Sequence, residues 1–264
     1  MKEKKKKGVV QEDDFIILFL NSQKKWLIQV KKDKEIHTHA GFVNGESLIG
    51  KVYGSEIVTN TGKTMHILDP KLNDFILKSN RPTQIIYPKD IGMIINWTDL
   101  SPGKNVLEVG TGSGSLSCYI ANIIRPSGHL FSYEIRKDHY NAAQKNISKT
   151  GLLDYITLIN KDIKLGIEQQ DMDVAVIDVG DPWSIIDIIK NSLRSGGSIA
   201  SVSPTVNQVE KFVIELINHK FIDIETYEVL IRKMDVREGK TRPSMRMIGH
   251  TTYLTFARKS VDNS

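Results

Sequence analysis

Three acidic side chains close short apolar runs in the middle of this 264-residue chain: Glu134 ends HLFSYE, Asp162 ends ITLINKD and Asp178 lies in VAVIDV. A fourth run, NVLEVG, carries Glu108 and leads into Gly110-Thr111-Gly112-Ser113-Gly114-Ser115. Glycines at that junction allow a tight turn and close approach of a ligand, and a helix start beyond them offers free N–H groups. The spacing is G-x-G-x-G, not the G-x-G-x-x-G of a dinucleotide loop. A carboxylate at the end of the following strand, Glu134, can accept both hydroxyls of a ribose. Asp162 can accept from an adenine amino group, with Ile163 against the ring. Each acid alone also reads as a solvated strand end. Together, in chain order, they describe a nucleoside cleft at the carboxyl ends of parallel strands. Asp178 follows three apolar residues, so it faces that cleft or is buried at a cost. Asp181 is the better helix cap, since Pro182 can occupy a first helical position, and Trp183 starts that helix or packs in the core.

The elements that must carry these groups follow from the periodicity. From residue 104, short apolar strands alternate with helical segments at 115–124, 137–149, 184–193 and 206–218. That alternation implies right-handed crossovers and a mainly parallel, doubly wound α/β sheet. Two further strands, in 222–232 and 252–259, have no helix between them and suggest an antiparallel hairpin at the sheet edge. Residues 9–75 read differently. DFIILFL, KKWLIQV, EIHTHAG, SLIGKVYG, SEIVTN and TMHILD are short, β-branched and aromatic, with turn signals at Asn44-Gly45 and Thr61-Gly62-Lys63, which predicts a small all-β barrel or sandwich. Residues 71–89 form a connector. Pro88 disfavours helix at Tyr87, and Asp90 can cap a helix with Ile91, Ile94 and Ile95 on one face.

Composition sets outer bounds. Hydrophobic residues make up 40% and charged residues 25%, a globular balance that argues against wholesale disorder. One cysteine, Cys118, forms no internal disulfide and no cysteine-based zinc site; on an apolar helix it reads as a buried structural thiol. His37 and His39 share a strand face with no third ligand in sight, so no metal is expected. No apolar run has the roughly 18–20 residues of a membrane span, and the charged start lacks a signal-peptide core; a cytoplasmic protein is expected. The net charge of +5 is unevenly spread: residues 1–7 carry +4, residues 232–246 carry +4, and the remainder carries −3. The first segment reads as a basic disordered tail over residues 1–8. The second, with Arg237, Lys240 and Arg242, fits phosphate contact, because clustered Lys and Arg release counterions from a nucleic-acid backbone; a solvated loop is the plainer alternative.

The short-spaced glycine loop resembles the S-adenosylmethionine loop of class I methyltransferases. Arg81-Pro-Thr-Gln-Ile-Ile-Tyr-Pro-Lys-Asp90, LEVGTGSGSLS, the Asp-x-x-x-Pro-Trp segment at 178–183 and Gly249-His-Thr-Thr-Tyr-Leu-Thr-Phe-Ala-Arg-Lys259 together resemble the tRNA (adenine-58-N1)-methyltransferases over nearly the whole chain. Val179-Gly180 stands where that family usually has an apolar-Pro pair, and Thr252 where it often has Gly. The resemblance implies a Rossmann-like, seven-stranded methyltransferase domain at 76–264 behind the small β domain, S-adenosylmethionine as cofactor, tRNA as partner and a homotetramer. It implies methylation of adenine N1 at position 58 of the T-loop, with position 57 also open. By position it implies a cofactor site of Gln84, Gly110 to Ser115, Glu134, Asp162, Ile163 and Asp178, with Asp178 also the catalytic carboxylate and Tyr87 in the target-adenine pocket. A class I methyltransferase of another substrate, such as protein isoaspartate or a small molecule, is the competing reading. A non-catalytic RNA-binding subunit would be expected to lose the glycine loop and Asp178, and a nicotinamide oxidoreductase fits the glycine spacing poorly. His250 matches the last motif without an evident role.

Overall fold

The computed structural model describes residues 8–78 and 85–261; the tail at 1–7 lies outside them. By its packing the chain divides into two compact units, Met1–Lys78 and Ser79–Ser264.

The first unit contains β1 (Phe15–Asn21), β2 (Lys24–Gln29), β3 (Glu35–Thr38), β4 (Gly41–Asn44), the one-turn helix α1 (Gly45–Leu48), β5 (Glu56–Val58), β6 (Thr64–Leu68) and α2 (Leu72–Lys78). Four strands form an antiparallel sheet in the order β2-β1-β6-β5, and β3 and β4 form a separate hairpin. Ile16 and Leu18 alternate inward from β1 and join Val30, Leu48, Met65 and Ile67 in the core. Of the expected barrel or sandwich, the described residues do not form a closed barrel: β2 and β5 are the outer strands of the four-stranded sheet. The stretch 47–54, expected as a strand, forms only the end of α1 and an isolated bridge from Val52 to Val9. Asn44-Gly45 is no hairpin turn either. Gly45 starts α1 with its Cα so near the Lys31 carbonyl that a Cβ would stand 1.9 Å from that oxygen. Thr61-Gly62 does turn the chain between β5 and β6, with Gly62 at φ 77°. Part of the expected connector is helical. Asp74 of α2 is ion-paired to Lys25 and accepts the Lys71 N–H at 3.0 Å, while Phe75 meets Phe15 edge-on at 5.4 Å.

The second unit runs α3 (Pro88–Trp97), β7 (Asn105–Val109), α4 (Ser115–Ile124), β8 (His129–Tyr133), α5 (Lys137–Ser148), β9 (Ile156–Ile159), β10 (Met172–Ile177), α6 (Ile186–Ser192), β11 (Leu193–Ser203), α7 (Val206–Asn218), β12 (Phe221–Glu228), β13 (Met234–Asp235), β14 (Arg242–Pro243) and β15 (Tyr253–Lys259). The seven-stranded sheet has the order β12-β15-β11-β10-β7-β8-β9. Neighbours from β11 to β9 are parallel, and β15 inserts antiparallel between β11 and β12. This is the doubly wound architecture with the terminal hairpin at one edge. β7 and β10 are apolar almost throughout because helices cover both faces of the sheet. Phe212 of α7, fully buried, anchors one such helix among Leu107, Ile177 and Ile199.

α3 buries Ile91 and Ile94 as the periodicity requires, but its cap differs from the expectation. Tyr87 is the N-cap and Pro88 the first helical residue, where its missing N–H costs nothing. Asp90, only 1% exposed, instead accepts from Lys89 Nζ at 2.7 Å and Thr251 Oγ1 at 2.9 Å. The helix expected at 184–193 starts as a 3-10 turn at Pro182–Ile185 and ends at Ser192.

Candidate active site

Strand order reverses between β7 and β10: the chain winds outward through β8 and β9, then returns to place β10 on the other side of β7. Ligands of such sheets bind at this switch point, beyond the carboxyl ends of the strands. There the structure has a cavity of about 570 Å³, within the size range of small-ligand pockets. Gly110, Thr111, Gly112, Ser113, Ser115, Glu134, Asp162, Ile163 and Asp178 all line it, so nine of the residues singled out in the sequence meet in one place.

The glycines are required individually. Gly110 has φ 96°, and a Cβ there would lie 2.1 Å from the Asp178 carbonyl oxygen. The glycine loop and the segment after β10 are therefore in backbone contact. The Asp178 N–H also donates to the Val109 carbonyl at 2.8 Å. Gly114, at φ 80°, caps α4 in the left-handed conformation and packs on Ile147, 2.9 Å from where a Cβ would be. It does not line the cavity; it seats the loop against α5.

Hydrogen bonds hold the loop to the strands beneath it. The Gly112 N–H donates to Glu134 Oε2 at 2.9 Å, and the Arg136 N–H to Glu134 Oε1 at 2.9 Å. Glu134, 6% exposed, is thus fixed before any ligand arrives, with lone pairs remaining on both oxygens. Thr111 Oγ1 pairs with Ser132 Oγ at 2.6 Å. Ser132 and Ser117 both donate to Glu108 Oε2, while Oε1 of this fully buried carboxyl has no partner. Burial pushes Glu108 up to about 7; the two serine hydrogen bonds oppose this, and the charges of Asp178 and Glu134 add to it.

Asp178 lines the cavity; the residue is exposed, yet protein packs closely around its carboxyl. That loss of bulk solvent, and then the charge of Glu134, pushes its carboxyl up to about 6. Asp162 caps the 3-10 turn Ile163–Leu165, accepting the Lys164 N–H at 2.9 Å through Oδ1. Asp181 is the N-cap residue of the turn at Pro182, as expected, but its side chain does not cap. It accepts from Lys164 Nζ and Ser184 Oγ, each at 2.8 Å, which holds its carboxyl below the usual range. Trp183 is half-buried, with Lys211 Nζ 5.0 Å from its ring, and is not a core residue.

Residues 63–241 match the family model described as tRNA methyltransferase complex GCD14 subunit. The chain belongs to this family. Among its relatives is the tRNA (adenine(57)-N(1)/adenine(58)-N(1))-methyltransferase TrmI of Methanocaldococcus jannaschii, 33% identical over 78% of this chain and 82% of that protein. A crystal structure described as a SAM-dependent O-methyltransferase from Thermotoga maritima superposes with a TM-score of 0.92, at 35% identity over 97% of both chains. That of tRNA (m1A58) methyltransferase TrmI from Aquifex aeolicus superposes with a TM-score of 0.84, at 30% identity over 96% of this chain and 99% of that one.

Gln84, also expected in the site, lies outside the described residues. Tyr87 is 39% exposed at the N-cap of α3 and does not line the cavity, whereas its neighbours Ile85 and Ile86 do. Arg237, Lys240 and Arg242 come together with Thr241 and Asp235 around a separate hollow of about 380 Å³ on the loop carrying β13 and β14. Sequence reasoning missed Ser132, Ser117 and His139. A signal existed for Ser132: Leu130, Ser132 and Glu134 share one face, and a hydroxyl on that face within a buried strand must bond to something. His139, 5% exposed, lines the cavity with Nδ1 3.9 Å from Glu134 Oε2. Cys118 is buried near Thr150, and burial pushes its thiol up to about 12. Among the described residues no cluster of three His, Cys, Asp or Glu could hold a metal ion, and no helix is long and apolar enough to cross a membrane.

Proposed function

We propose that this chain transfers a methyl group from S-adenosylmethionine to N1 of adenine 58 in the T-loop of tRNA, and that Asp178 is its catalytic carboxylate. One observation carries the reading: Asp178 lines a nucleoside-sized cavity, its carbonyl against Gly110, with Glu134 already held for a ribose. The relatives in Methanocaldococcus jannaschii and Aquifex aeolicus are named for this reaction.

The residues fit the cofactor. Cβ-free glycines leave the loop open to close approach, Glu134 offers two fixed acceptors, and Asp162 and Ile163 offer an acceptor and an apolar face for a purine. Bound there, S-adenosylmethionine supplies an electrophilic methyl on a sulfonium. Adenine N1 attacks with its own lone pair, so the protein need not remove a proton first. Asp178 receives a hydrogen bond from the exocyclic amine, which stabilises the positive charge that methylation leaves on the base. Holding the two reactants in line can lower the barrier by about 7–11 kcal/mol in favourable cases. N1 is on the pairing edge, so the base must be extruded before it reaches the cavity. Tyr87, beside the cavity residues Ile85 and Ile86, is a stacking or hydrogen-bonding candidate for that base.

Arg237, Lys240 and Arg242 hold tRNA phosphates in this reading, supported by their convergence on one exposed hollow. A homotetramer fits the exposed apolar surface of Ile214, Ile217 and Ile222 on α7 and the edge strand β12; light scattering measures it.

The decisive experiment maps methyladenosine by mass spectrometry on unmodified tRNA transcripts incubated with protein and cofactor. 1-Methyladenosine at position 58 is expected, and transcripts with adenine at 57 test the second site. The name of the Thermotoga maritima structure raises O-methylation. That reaction needs a base, and a carboxyl near 6 could serve. An unmethylated transcript beside a methylated hydroxyl compound would favour it.

A further inference from the structure

His250 binds two acceptors at once. Its Nδ1 is 2.6 Å from Glu228 Oε1 and its Nε2 is 3.0 Å from the Pro204 carbonyl. A neutral imidazole has one N–H; only the imidazolium donates to both. The ring also packs on Tyr253 with centroids 4.7 Å apart. Pro204 follows β11, Glu228 ends β12 and Tyr253 begins β15, so one side chain joins three strand ends on the side of the sheet where the cavity opens.

The contact has a particular place in the chain. Glu228 is the last strand residue before the basic loop and His250 is the first residue after it, so their bond closes the neck of residues 229–249. On the far side the chain is fixed. Thr251 Oγ1 accepts from Lys89 Nζ at 2.6 Å and donates to the buried Asp90. The loop itself has little internal support: β13 and β14 share a two-residue pairing, and nearly every residue from 229 to 250 is exposed.

We propose that His250, as an imidazolium clip between Glu228 and the Pro204 carbonyl, is a positioning residue that sets how the basic loop leaves the sheet and thereby tunes its grip on a polyanionic tRNA backbone. The inference rests on the tRNA reading above and adds to it a pH-sensitive determinant of RNA affinity, separate from the chemistry of the cavity. The hydrogen bond to Glu228, then that to Pro204, raises the His250 pKa above its ordinary value, against some burial and the charge of Lys89. The groups facing the ring are Glu228 from β12, Lys89 with its partner Asp90 from α3, the Tyr253 ring from β15 and only a carbonyl from β11. The clip is therefore complete below the ordinary histidine range and is lost as pH rises through the raised folded value.

The test uses the full chain, with His250→Phe retaining a ring against Tyr253 and Glu228→Gln retaining the shape of the partner. Equilibrium binding of an unmodified tRNA transcript is measured from pH 6 to 9, with turnover at saturating tRNA and binding of S-adenosylhomocysteine as controls. The wild-type protein should lose roughly tenfold in tRNA affinity across the His250 titration, in line with loss of a hydrogen bond to a charged group. His250→Phe should sit at the weaker affinity at every pH, with kcat and S-adenosylhomocysteine affinity changed by less than about twofold, and Glu228→Gln should move the step to lower pH. A second readout needs no RNA: the rate of proteolytic cleavage within 229–249, corrected for the protease's own pH dependence, should rise with pH in the wild-type protein and be high and flat in His250→Phe. Wild-type tRNA affinity and an unchanged pH profile in His250→Phe would overturn the proposal, as would equal cleavage rates in both proteins. Failure of both proteins to bind tRNA, with the cleavage difference intact, would instead remove the tRNA reading and leave the clip.

Discussion

The glycine loop and the basic loop are built on opposite principles. The first is assembled in advance: backbone N–H groups fix Glu134, Ser132 and Ser117 hold Glu108, and the Gly110 backbone touches Asp178. The second is exposed, shares one two-residue pairing and owes its placement to contacts at its neck. A small cofactor presents few atoms, so affinity for it demands fixed partners and preorganisation. A polyanion presents many equivalent phosphates, and charge density serves it better than a rigid cradle.

Breaking the rigid side should have the largest effect. Asp178→Ala is expected to lower kcat by about 10²–10³-fold while tRNA binding persists; near-normal turnover would take Asp178 out of the chemistry. Gly110→Ala comes next. A Cβ placed 2.1 Å from the Asp178 carbonyl, at φ 96°, should destabilise the protein by about 2–4 kcal/mol. Calorimetry should show a lower Tm and no measurable S-adenosylhomocysteine binding. On the yielding side, Arg237→Ala, Lys240→Ala and Arg242→Ala combined should reduce the salt slope of tRNA binding by about 2–3, with S-adenosylhomocysteine affinity unchanged. An unaltered slope would return these residues to solvent.

The smallest effect concerns pH. If Asp178 acts as the carboxylate, kcat/KM should fall below its pKa of about 6, by about fourfold at pH 5.5. Rates that stay level to pH 5 would mean the ionised form is not needed. Stability should move the other way. Asp178 and Glu108 hold their protons more firmly folded, at about 6 and about 7, than unfolded. The native state therefore binds more protons between about pH 4 and 7, and stability declines as pH rises through that window.

Strand ends, helix positions and the glycine loop were legible because apolar periodicity and turn chemistry act over a few residues. Glu134, Asp162 and Asp178 converge because alternating strands and helices leave little choice about where parallel strands end. What escaped depends on distant partners. Asp90 reads as a cap until Thr251 arrives to bond it, and Gly45 reads as a turn until the Lys31 carbonyl lies against it. Likewise 47–54 has strand-like residues but folds as a helical turn and bridge, and no local signal announces that the sheet stays open. Tyr87 was inherited from a motif, and a motif conveys neighbourhood without conveying which side chains face inward.

The contact between Gly110 and the Asp178 carbonyl has a consequence for how such an enzyme can diversify. Where the glycine loop and the proposed catalytic carboxylate are one mechanical part, substitutions in either should be strongly non-additive with those in the other. New acceptor specificities are then reached most readily by altering surfaces that do not share this joint, such as the segment at Ile85–Ile86 and the loop at 229–249. The catalytic centre would be inherited intact while what it is shown changes.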